Sequence, residues 1–347
     1  VGTFRYCRNL KNITIPDSVT SIGNSAFALC DGLTNIIFGN GLTHIGSSAF
    51  WNCSSLTEIT IPGNVKTIGE KAFEFCRELT SVTIEEGVTE IGKDAFFHCD
   101  SLKSIAIAEG VKTIGYRAFY ECHNLESFVL PKSVAEIPNG LFLECYALKS
   151  LAVAEGHPRY DSRKGCNAII ETATNKLLYG CCTTVIPDSV TEIGAGAFWD
   201  ARQLKSIAIP HSVTNIGENA FAECGLTEID IPDSITTIAD NTFESCTHLT
   251  RVNIPDSVVA LGSSVFYKCS NLVEIELSDN IIEICEVIRD MNKKKKTSSK
   301  KAPAKKATTK KAASTDSPKT GVAGVAIPAA MLALAGAAAV TFRKKND

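Results

Sequence analysis

The fold is decided by a stretch that runs Ile15-Pro16-Asp17-Ser18-Val19-Thr20-Ser21-Ile22-Gly23-Asn24-Ser25-Ala26-Phe27 and recurs along most of the chain. The same block returns as Ile186 to Phe198. Its last residue recurs every 23 residues and, after one longer gap, resumes: Phe4, Phe27, Phe50, Phe73, Phe96, Phe119, Phe142, Phe198, Phe221, Phe243 and Phe266. Three residues after each Phe stands a Cys, with Ala201 as the one exception. A period of this length indicates a solenoid in which each repeat is one coil.

Each repeat also contains an alternating apolar segment that predicts a short strand. In Leu10 to Ile15, Ile13 and Ile15 would face a core while Asn12 and Thr14 face outward. One coil cannot bury its apolar face alone, but stacked coils can pair their strands at about 4.8 Å. Leu-x-x-Ile-x-Ile at this period is typical of a leucine-rich repeat. We predict an α/β-type repeat solenoid over residues 1–290, mostly strand and loop, with a parallel β-sheet on one face and about 23 residues per coil.

The repeat block resembles that of the BspA-like family of bacterial leucine-rich-repeat surface proteins. The resemblance implies a protein that adheres to host matrix proteins, host cells or other bacteria, and it names no ligand. Two alternatives remain open: a structural wall component without a specific ligand, and targeting repeats of an enzyme whose catalytic domain lies upstream. The chain begins at Val1 inside a repeat, without Met or a signal peptide, so we interpret it as a fragment.

The cysteines of the repeat allow two interpretations. Disulfides between neighbouring coils are conceivable, because stacked positions lie near the Cα separation that a disulfide requires. However, an odd run of equivalent thiols cannot all pair, and Ala201 replaces one of them. We favour buried free cysteines that pack as small apolar residues.

The longer gap in the repeat spans residues 155–186. Within it, Asn167 to Glu171 and Lys176 to Gly180 predict two strands joined at Ala173-Thr174-Asn175. The insertion is therefore an enlarged coil or a β-hairpin. It is either a projection that faces a ligand or part of the ordinary architecture, and we favour the second.

Charge is distributed unevenly along the chain. From residue 291 onward there are 14 Lys or Arg and 2 Asp or Glu, against 21 and 36 in the preceding residues. Residues 291–316 contain ten lysines and no apolar face, which predicts a disordered, extended spacer. We expect this spacer to contact anionic wall polymers, although an unspecific charged linker would look the same. We expect no biological nucleic-acid binding, because the acidic body would repel phosphate.

The C-terminus resembles a Gram-positive sorting signal of the Leu-Pro-x-Thr-Gly type. Ser317-Pro318-Lys319-Thr320-Gly321 precedes residues 322–342, which carry no charge, and then Arg343-Lys344-Lys345. A helix over this span would reach about 31 Å, enough to cross a bilayer, with its basic end in the cytoplasm. The resemblance implies that a sortase cleaves between Thr320 and Gly321 and joins Thr320 to peptidoglycan. Ser317 departs from the usual leucine, so the identity of the sortase and retention in the membrane stay open.

A search for chemistry in the body finds no catalytic set, cofactor motif or metal site that we would predict. His98-Cys99 and Cys122-His123 lie one coil apart, and two Cys with two His could bind zinc. However, Cys99 and Cys122 occupy the core positions, so their neighbours should point elsewhere. We therefore expect a binding protein rather than an enzyme in this part of the chain.

The outward face of the parallel sheet is the candidate binding site. Its two rows contain small and mildly apolar residues in the middle and charged residues at the C-terminal end, for example Glu228, Asp230 and Arg251. We name the middle part the central strip, and it consists of Ser81, Thr83, Ser104, Ala106, Ser127, Val129, Ser150, Ala152, Ser206 and Ala208. A smooth strip with a polar border suits a protein ligand. Alternatively, short side chains are simply what a curved sheet tolerates.

Overall fold

The structure is a computed structural model that describes residues 1–277, 280–281, 283–284 and 341–344. In these residues the chain forms a solenoid of about eleven turns. The predicted spacer (291–316), the sorting motif (317–321) and nearly all of the predicted span (322–342) lie outside the described residues.

The described residues contain 24 strands and one short 3-10 helix. In chain order the first twelve strands are β1 (Asn12–Thr14), β2 (Ser21–Ile22), β3 (Asn35–Ile37), β4 (His44–Ile45), β5 (Glu58–Ile61), β6 (Thr67–Ile68), β7 (Ser81–Ile84), β8 (Glu90–Ile91), β9 (Ser104–Ile107), β10 (Thr113–Ile114), β11 (Ser127–Leu130) and β12 (Ser150–Val153). The remaining elements are β13 (Tyr160–Asp161), the 3-10 helix (Arg163–Gly165), β14 (Ala168–Glu171), β15 (Lys176–Gly180), β16 (Glu192–Ile193), β17 (Asn215–Ile216), β18 (Glu228–Asp230), β19 (Thr237–Ile238), β20 (Arg251–Asn253), β21 (Ala260–Leu261), β22 (Glu274–Leu277), β23 (Glu283–Ile284) and β24 (Thr341–Lys344).

The strands at the Ile-x-Ile position form the predicted parallel sheet, which we call the front sheet. It consists of three ladders, β1-β3, β5-β7-β9-β11-β12 and β18-β20-β22-β24. Equivalent residues of successive coils pair, as Ile59 does with Val82 and Val82 with Ile105. Alternate residues are buried, because the strand period of two places one row in the core and the next outside. The predicted sheet, coil length and strand phase are confirmed.

A second, narrower parallel sheet lies at the Val-x-x-Ile-Gly position. Its ladder β2-β4-β6-β8-β10 runs through the first coils, and β19-β21-β23 runs through the last. A glycine follows each strand of the first ladder and permits close approach of neighbouring coils: a Cβ on Gly69 would lie 2.6 Å from the carbonyl carbon of Gly46. The third side of the coil, which contains Ala-Phe, consists of turns and contains no α-helix among the described residues.

The insertion is a β-hairpin that forms part of the solenoid. β14 pairs antiparallel with β13 and β15, and β15 then pairs parallel with β16, so the second sheet continues through it. Ile169 and Ile170 are both fully buried, one in the core of the preceding coils and the other in the core of the following coils. Gly180 passes so close to Phe198 that a Cβ would lie 2.0 Å from the ring. The hairpin joins two hydrophobic cores, as expected for ordinary architecture.

The phenylalanines of the repeat form two stacks inside the solenoid. From Phe4 to Phe142 neighbouring ring centroids lie 5.0–6.4 Å apart and the rings are within 18° of parallel. A second stack runs from Phe198 to Phe266 with spacings of 5.0–5.7 Å. These stacks fill the core on the side opposite the front sheet.

The repeat cysteines are free thiols that hydrogen-bond to the backbone. Every described cysteine is unpaired. Nine thiols donate to the carbonyl oxygen of the phenylalanine in the preceding coil at 3.0–3.3 Å: Cys30, Cys53, Cys76, Cys99, Cys122, Cys145, Cys224, Cys246 and Cys269. Burial raises the pKa of Cys76 to about 12, so this thiol stays protonated and unreactive at neutral pH. Each thiol is a second donor to its carbonyl oxygen, which also accepts a backbone N–H from its own coil, as Phe50 does from Cys53 at 3.2 Å.

Alkylation of the intact chain tests this account of the cysteines. We expect the exposed Cys7 to react under native conditions and the nine hydrogen-bonded thiols to react only after denaturation, because only the thiolate attacks the reagent. Mass spectrometry of protein taken directly from cells measures both states. Disulfides between equivalent cysteines of neighbouring coils would contradict the account.

The last described residues differ from the prediction. β24 pairs parallel with β22 at the end of the front sheet, with Thr341 opposite Glu274 and Phe342 opposite Ile275. The sequence predicts that residues 341–342 end a membrane-spanning helix; the span of residues 322–342 stays a prediction, because nearly all of it lies outside the described residues. The edge strand of the last coil offers unpaired backbone groups with which an extended segment can pair.

Candidate ligand-binding face

The central strip begins as a set of aligned side chains on the front sheet. Ser81 pairs with Ser104 and Ser104 with Ser127, which makes a continuous row of serines at one edge. Beside it, Thr83 pairs with Ala106. Ser127 and Val129 then pair with Ser150 and Ala152 of the next coil. Eight of the ten predicted strip residues are therefore brought together in one five-stranded ladder.

The strip is accessible and mildly apolar. Val129 is 54% exposed, and Thr83 and Ala106 are exposed as well. The residues that alternate with them, such as Val82 and Phe128, are at most 2% exposed. Buried neighbours on rigid strands hold the short outward side chains in place, so a partner would have little side-chain entropy to remove.

A charged border lies beyond the strip in the last coils. Arg251 contacts Glu228 at 3.1 Å and Asp230 at 3.6 Å across β18 and β20. These groups are about half exposed or more, so solvent screens the pairs and they stabilise the fold weakly. Their arrangement gives the C-terminal end of the front sheet a polar rim.

The predicted strip is wrong in one respect, because Ser206 and Ala208 do not continue the five-stranded ladder. No strand is formed at Ser206 to Ile209, and β12 is the last strand of its ladder. A coil intervenes that the repeat phase did not reveal, since Cys181 stands where other coils have Leu. Its outward residue is Val185, which stands 23 residues before Ala208 and is 71% exposed. The block Ile186 to Phe198 was the signal that could have revealed this coil.

A groove follows this break in the front sheet. It is lined by residues 184–186, 206–209 and 228–230 and has a volume of about 510 Å³. Ser206 and Ala208 are both exposed at its surface. The central strip therefore consists of a flat ladder that ends beside a groove, rather than one uninterrupted row.

The hairpin contributes to a cleft on another side of the solenoid. Leu178 and Tyr179 line it together with the aromatic side chains of Tyr116 and Trp199. Tyr179 is fixed by its hydroxyl, which donates to the carbonyl oxygen of Pro138 at 2.7 Å. The hairpin thus supplies one wall of a cleft without projecting from the body.

The residues considered for zinc separate into two environments. Cys99 and Cys122 are fully buried, as expected, and point away from the surface. His98 and His123 nevertheless approach each other, with ring centroids 6.1 Å apart. Carboxylates surround them: Glu144 accepts hydrogen bonds from two tyrosine hydroxyls, Tyr120 at 2.9 Å and Tyr146 at 2.7 Å.

Glu144 is ionised in this cluster. Partial burial acts to raise its pKa, but the hydrogen bonds from the two tyrosines outweigh burial and the pKa is lowered overall. The two histidines point elsewhere than the core cysteines beside them, as the sequence predicts, but the sequence did not predict that the two rings approach each other. The cause is stacking, because neighbouring coils bring together side chains that are distant along the chain.

Comparison with known families identifies the repeat. A family model described as BspA type leucine-rich repeat region matches residues 2–97, 66–167 and 171–289, in six copies. The chain belongs to the BspA-type leucine-rich repeat family. Comparison with curated proteins gives no significant match.

Solved structures, among them leucine-rich repeat proteins, agree with this assignment. A leucine-rich cell surface protein from Faecalibacterium prausnitzii is 29% identical, with a TM-score of 0.60 over 80% of this chain and 84% of that one. A leucine-rich repeat protein from Bacteroides ovatus is 26% identical, with a TM-score of 0.55 over 80% and 75%. The pneumococcal vaccine antigen PcpA is 27% identical, with a TM-score of 0.55 over 78% and 63%.

The predicted anchor is not part of these comparisons. Ser317, Pro318, Lys319, Thr320 and Gly321 lie outside the described residues. Within the described part of the chain, no helix has the length and apolar character needed to cross a membrane.

Proposed function

We propose that this BspA-type protein is an adhesin: a binding module displayed on the cell surface that recognises a protein on host or bacterial surfaces. The observation that carries the proposal is the ladder of small, outward-facing side chains from Ser81 to Ala152, which are exposed or partly exposed. A rigid, smooth strip with a charged border favours a protein partner, because it offers apolar contact area at low entropic cost and a rim for polar contacts.

The relatives support display at the surface. The protein from Faecalibacterium prausnitzii is described as a cell surface protein, and PcpA is a vaccine antigen. We propose the same location for this chain, with covalent attachment to peptidoglycan by a sortase acting on Ser317 to Gly321. Before processing, residues 322–342 would span the membrane. Residues 291–316 would then extend through the wall, and their lysines would contact its anionic polymers.

Two other functions make different demands on the strip. A structural wall component needs no ligand, and targeting repeats need a catalytic domain in a longer form of the protein. We favour adhesion because the exposed rows change from small to charged residues along the sheet, from Ala106 and Val129 to Glu228 and Asp230. A purely structural sheet has no need of such a gradient.

Replacing Ala106 by Glu should weaken adhesion by more than about tenfold. The new carboxylate would lie between Thr83 and Val129, and an unpaired charge desolvated in an interface costs several kcal/mol, of which about 1.4 kcal/mol corresponds to tenfold. The measurement is retention of Gram-positive cells displaying the chain on cultured epithelial cells, on immobilised matrix proteins and on other bacteria.

Ala135→Glu is the matched control, because Ala135 is exposed beside the second sheet and receives the same charge. We expect it to leave retention unchanged. Equal retention of wild type and Ala106→Glu would exclude the strip as the binding face. Retention no greater than that of cells without the protein would favour a structural wall component.

A further inference from the structure

Two histidines of neighbouring coils share one carboxylate. Nδ1 of His98 lies 3.0 Å from Oδ1 of Asp100, and Nδ1 of His123 lies 3.3 Å from the same oxygen. The other oxygen of Asp100 contacts Arg77 at 3.0 Å. Asp100 therefore lies against the Nδ1 edge of both rings and forms a hydrogen bond with Nδ1 of His98. This arrangement leaves Nε2 of each ring to face the opposite direction.

Both Nε2 atoms face carboxylates. Nε2 of His98 contacts the carboxylate of Glu121, and Nε2 of His123 lies 3.9 Å from Oε2 of Glu144. Among the described residues, no Lys or Arg nitrogen lies within 4.0 Å of either glutamate. A metal ion between these groups would therefore meet imidazole nitrogen and carboxylate oxygen, both of which are ligands of Zn²⁺ in proteins.

The geometry favours one shared cation. One ligand atom each of Glu121, His123 and Glu144 lie within 4.8 Å of one another. In a tetrahedral zinc site with bonds of about 2.0–2.2 Å, ligand atoms lie roughly 3.4 Å apart, so small side-chain rotations would complete the site. The three side chains are between 15% and 33% exposed, which shields them from water while leaving an entry path.

The repeat explains why these groups converge. His98, Glu121 and Glu144 occupy the same position in successive coils, each with φ between 57° and 59°. His123 lies in the neighbouring column, directly after a core cysteine. Stacked coils repeat about every 4.8 Å, which is somewhat more than the roughly 3.4 Å between two ligand atoms of one metal ion. Small movements of the side chains would close this difference. A local sequence motif is therefore not needed.

We propose that Glu121, His123 and Glu144 bind a divalent transition metal such as Zn²⁺, with water in the fourth position. Asp100 orients His123 through Nδ1, which is the carboxylate–histidine–metal arrangement that fixes the metal-binding tautomer. His98 acts as a positioning residue that orients Glu121. Bound metal would link three coils through side chains at the surface. We therefore expect it to raise the melting temperature, because it binds the folded state alone.

Zinc titration of the full chain tests the proposal. Accessible thiols are first alkylated under native conditions, so that Cys7 cannot bind the metal. Wild type should then bind one equivalent of Zn²⁺ in competition with a chromophoric chelator, and its melting temperature should rise. His123→Ala and Glu144→Gln should each weaken binding by more than about 100-fold, and Asp100→Asn by about 10- to 100-fold, the range for an outer hydrogen-bond partner.

Glu223→Gln is the matched control. Glu223 precedes a core cysteine just as Glu144 does and has φ of 57°, but it contacts Arg202 and no histidine. It should bind zinc as wild type does, and circular dichroism should show that all variants fold. The proposal is overturned if wild type binds no zinc. It is equally overturned if His123→Ala and Glu144→Gln leave the affinity unchanged.

Discussion

Replacing Phe119 by Ala should lower the free energy of unfolding by about 3–5 kcal/mol. Phe119 is fully buried, and its ring centroid lies 5.9 Å from that of Phe96 and 6.4 Å from that of Phe142. It also packs against Phe128 of the front sheet at 5.6 Å. Alanine would leave a cavity in the middle of the stack. Because each coil contacts only its neighbours, the coils on either side should lose the most protection.

Denaturation by urea, followed by circular dichroism, measures this effect in the intact chain. Tyr116→Ala is the matched control, because Tyr116 belongs to the same coil and is 48% exposed. We expect the control to cost less than about 1 kcal/mol. An unchanged midpoint for Phe119→Ala would mean that the phenylalanine stack does not hold the solenoid together.

The repeated part of the fold could be predicted from the sequence because periodicity reports burial directly. Ile59, Val82 and Ile105 recur in phase, and stacked coils require equivalent residues to share one environment. The same logic places Phe119 and its equivalents in the core. It also aligns Ser81 with Ser104 on the outward face.

The interruption could be predicted only in part. The two strands of the hairpin can be predicted from the local sequence pattern. The coil that ends at Ile186, however, lacks the repeat residues that would mark its beginning, because Cys181 stands where other coils have Leu. Counting repeats between Leu148 and Leu204 therefore does not identify Val185 as an outward-facing residue. A period detects equivalent residues and fails where substitution removes them, even though the backbone still completes its turn.

Contacts between columns could not be predicted from the sequence at all. Cys122 and His123 are neighbours in the chain, yet the cysteine enters the core while the histidine lies 3.9 Å from Glu144 of the next coil. The hydrogen bonds from the thiols to the phenylalanine carbonyls escape a search for motifs in the same way. Both depend on the offset between coils, which the sequence does not specify to within a hydrogen-bond length.

Replacing Thr320 and Gly321 together by Ala should remove all covalent attachment to the wall. The hydrophobic span would halt export, and the basic end would hold the Thr320–Gly321 bond at the outer membrane face, where a sortase thiol would attack the Thr320 carbonyl. Proline restricts its own φ and disfavours helix at the residue before it, so Pro318 would help to present the bond. The repeats should fold normally, because the substitutions lie far outside them. Replacing Thr308 and Thr309 by Ala in the spacer is the matched control.

Digestion of the wall with a muramidase, followed by detection of the repeat body, is the most direct test that this protein acts from the wall. Wild type and the spacer control should be released with wall fragments, while the Thr320 and Gly321 variant should stay with the membrane fraction. Identical fractionation of wild type and that variant would contradict covalent anchoring and leave a membrane anchor as the means of display.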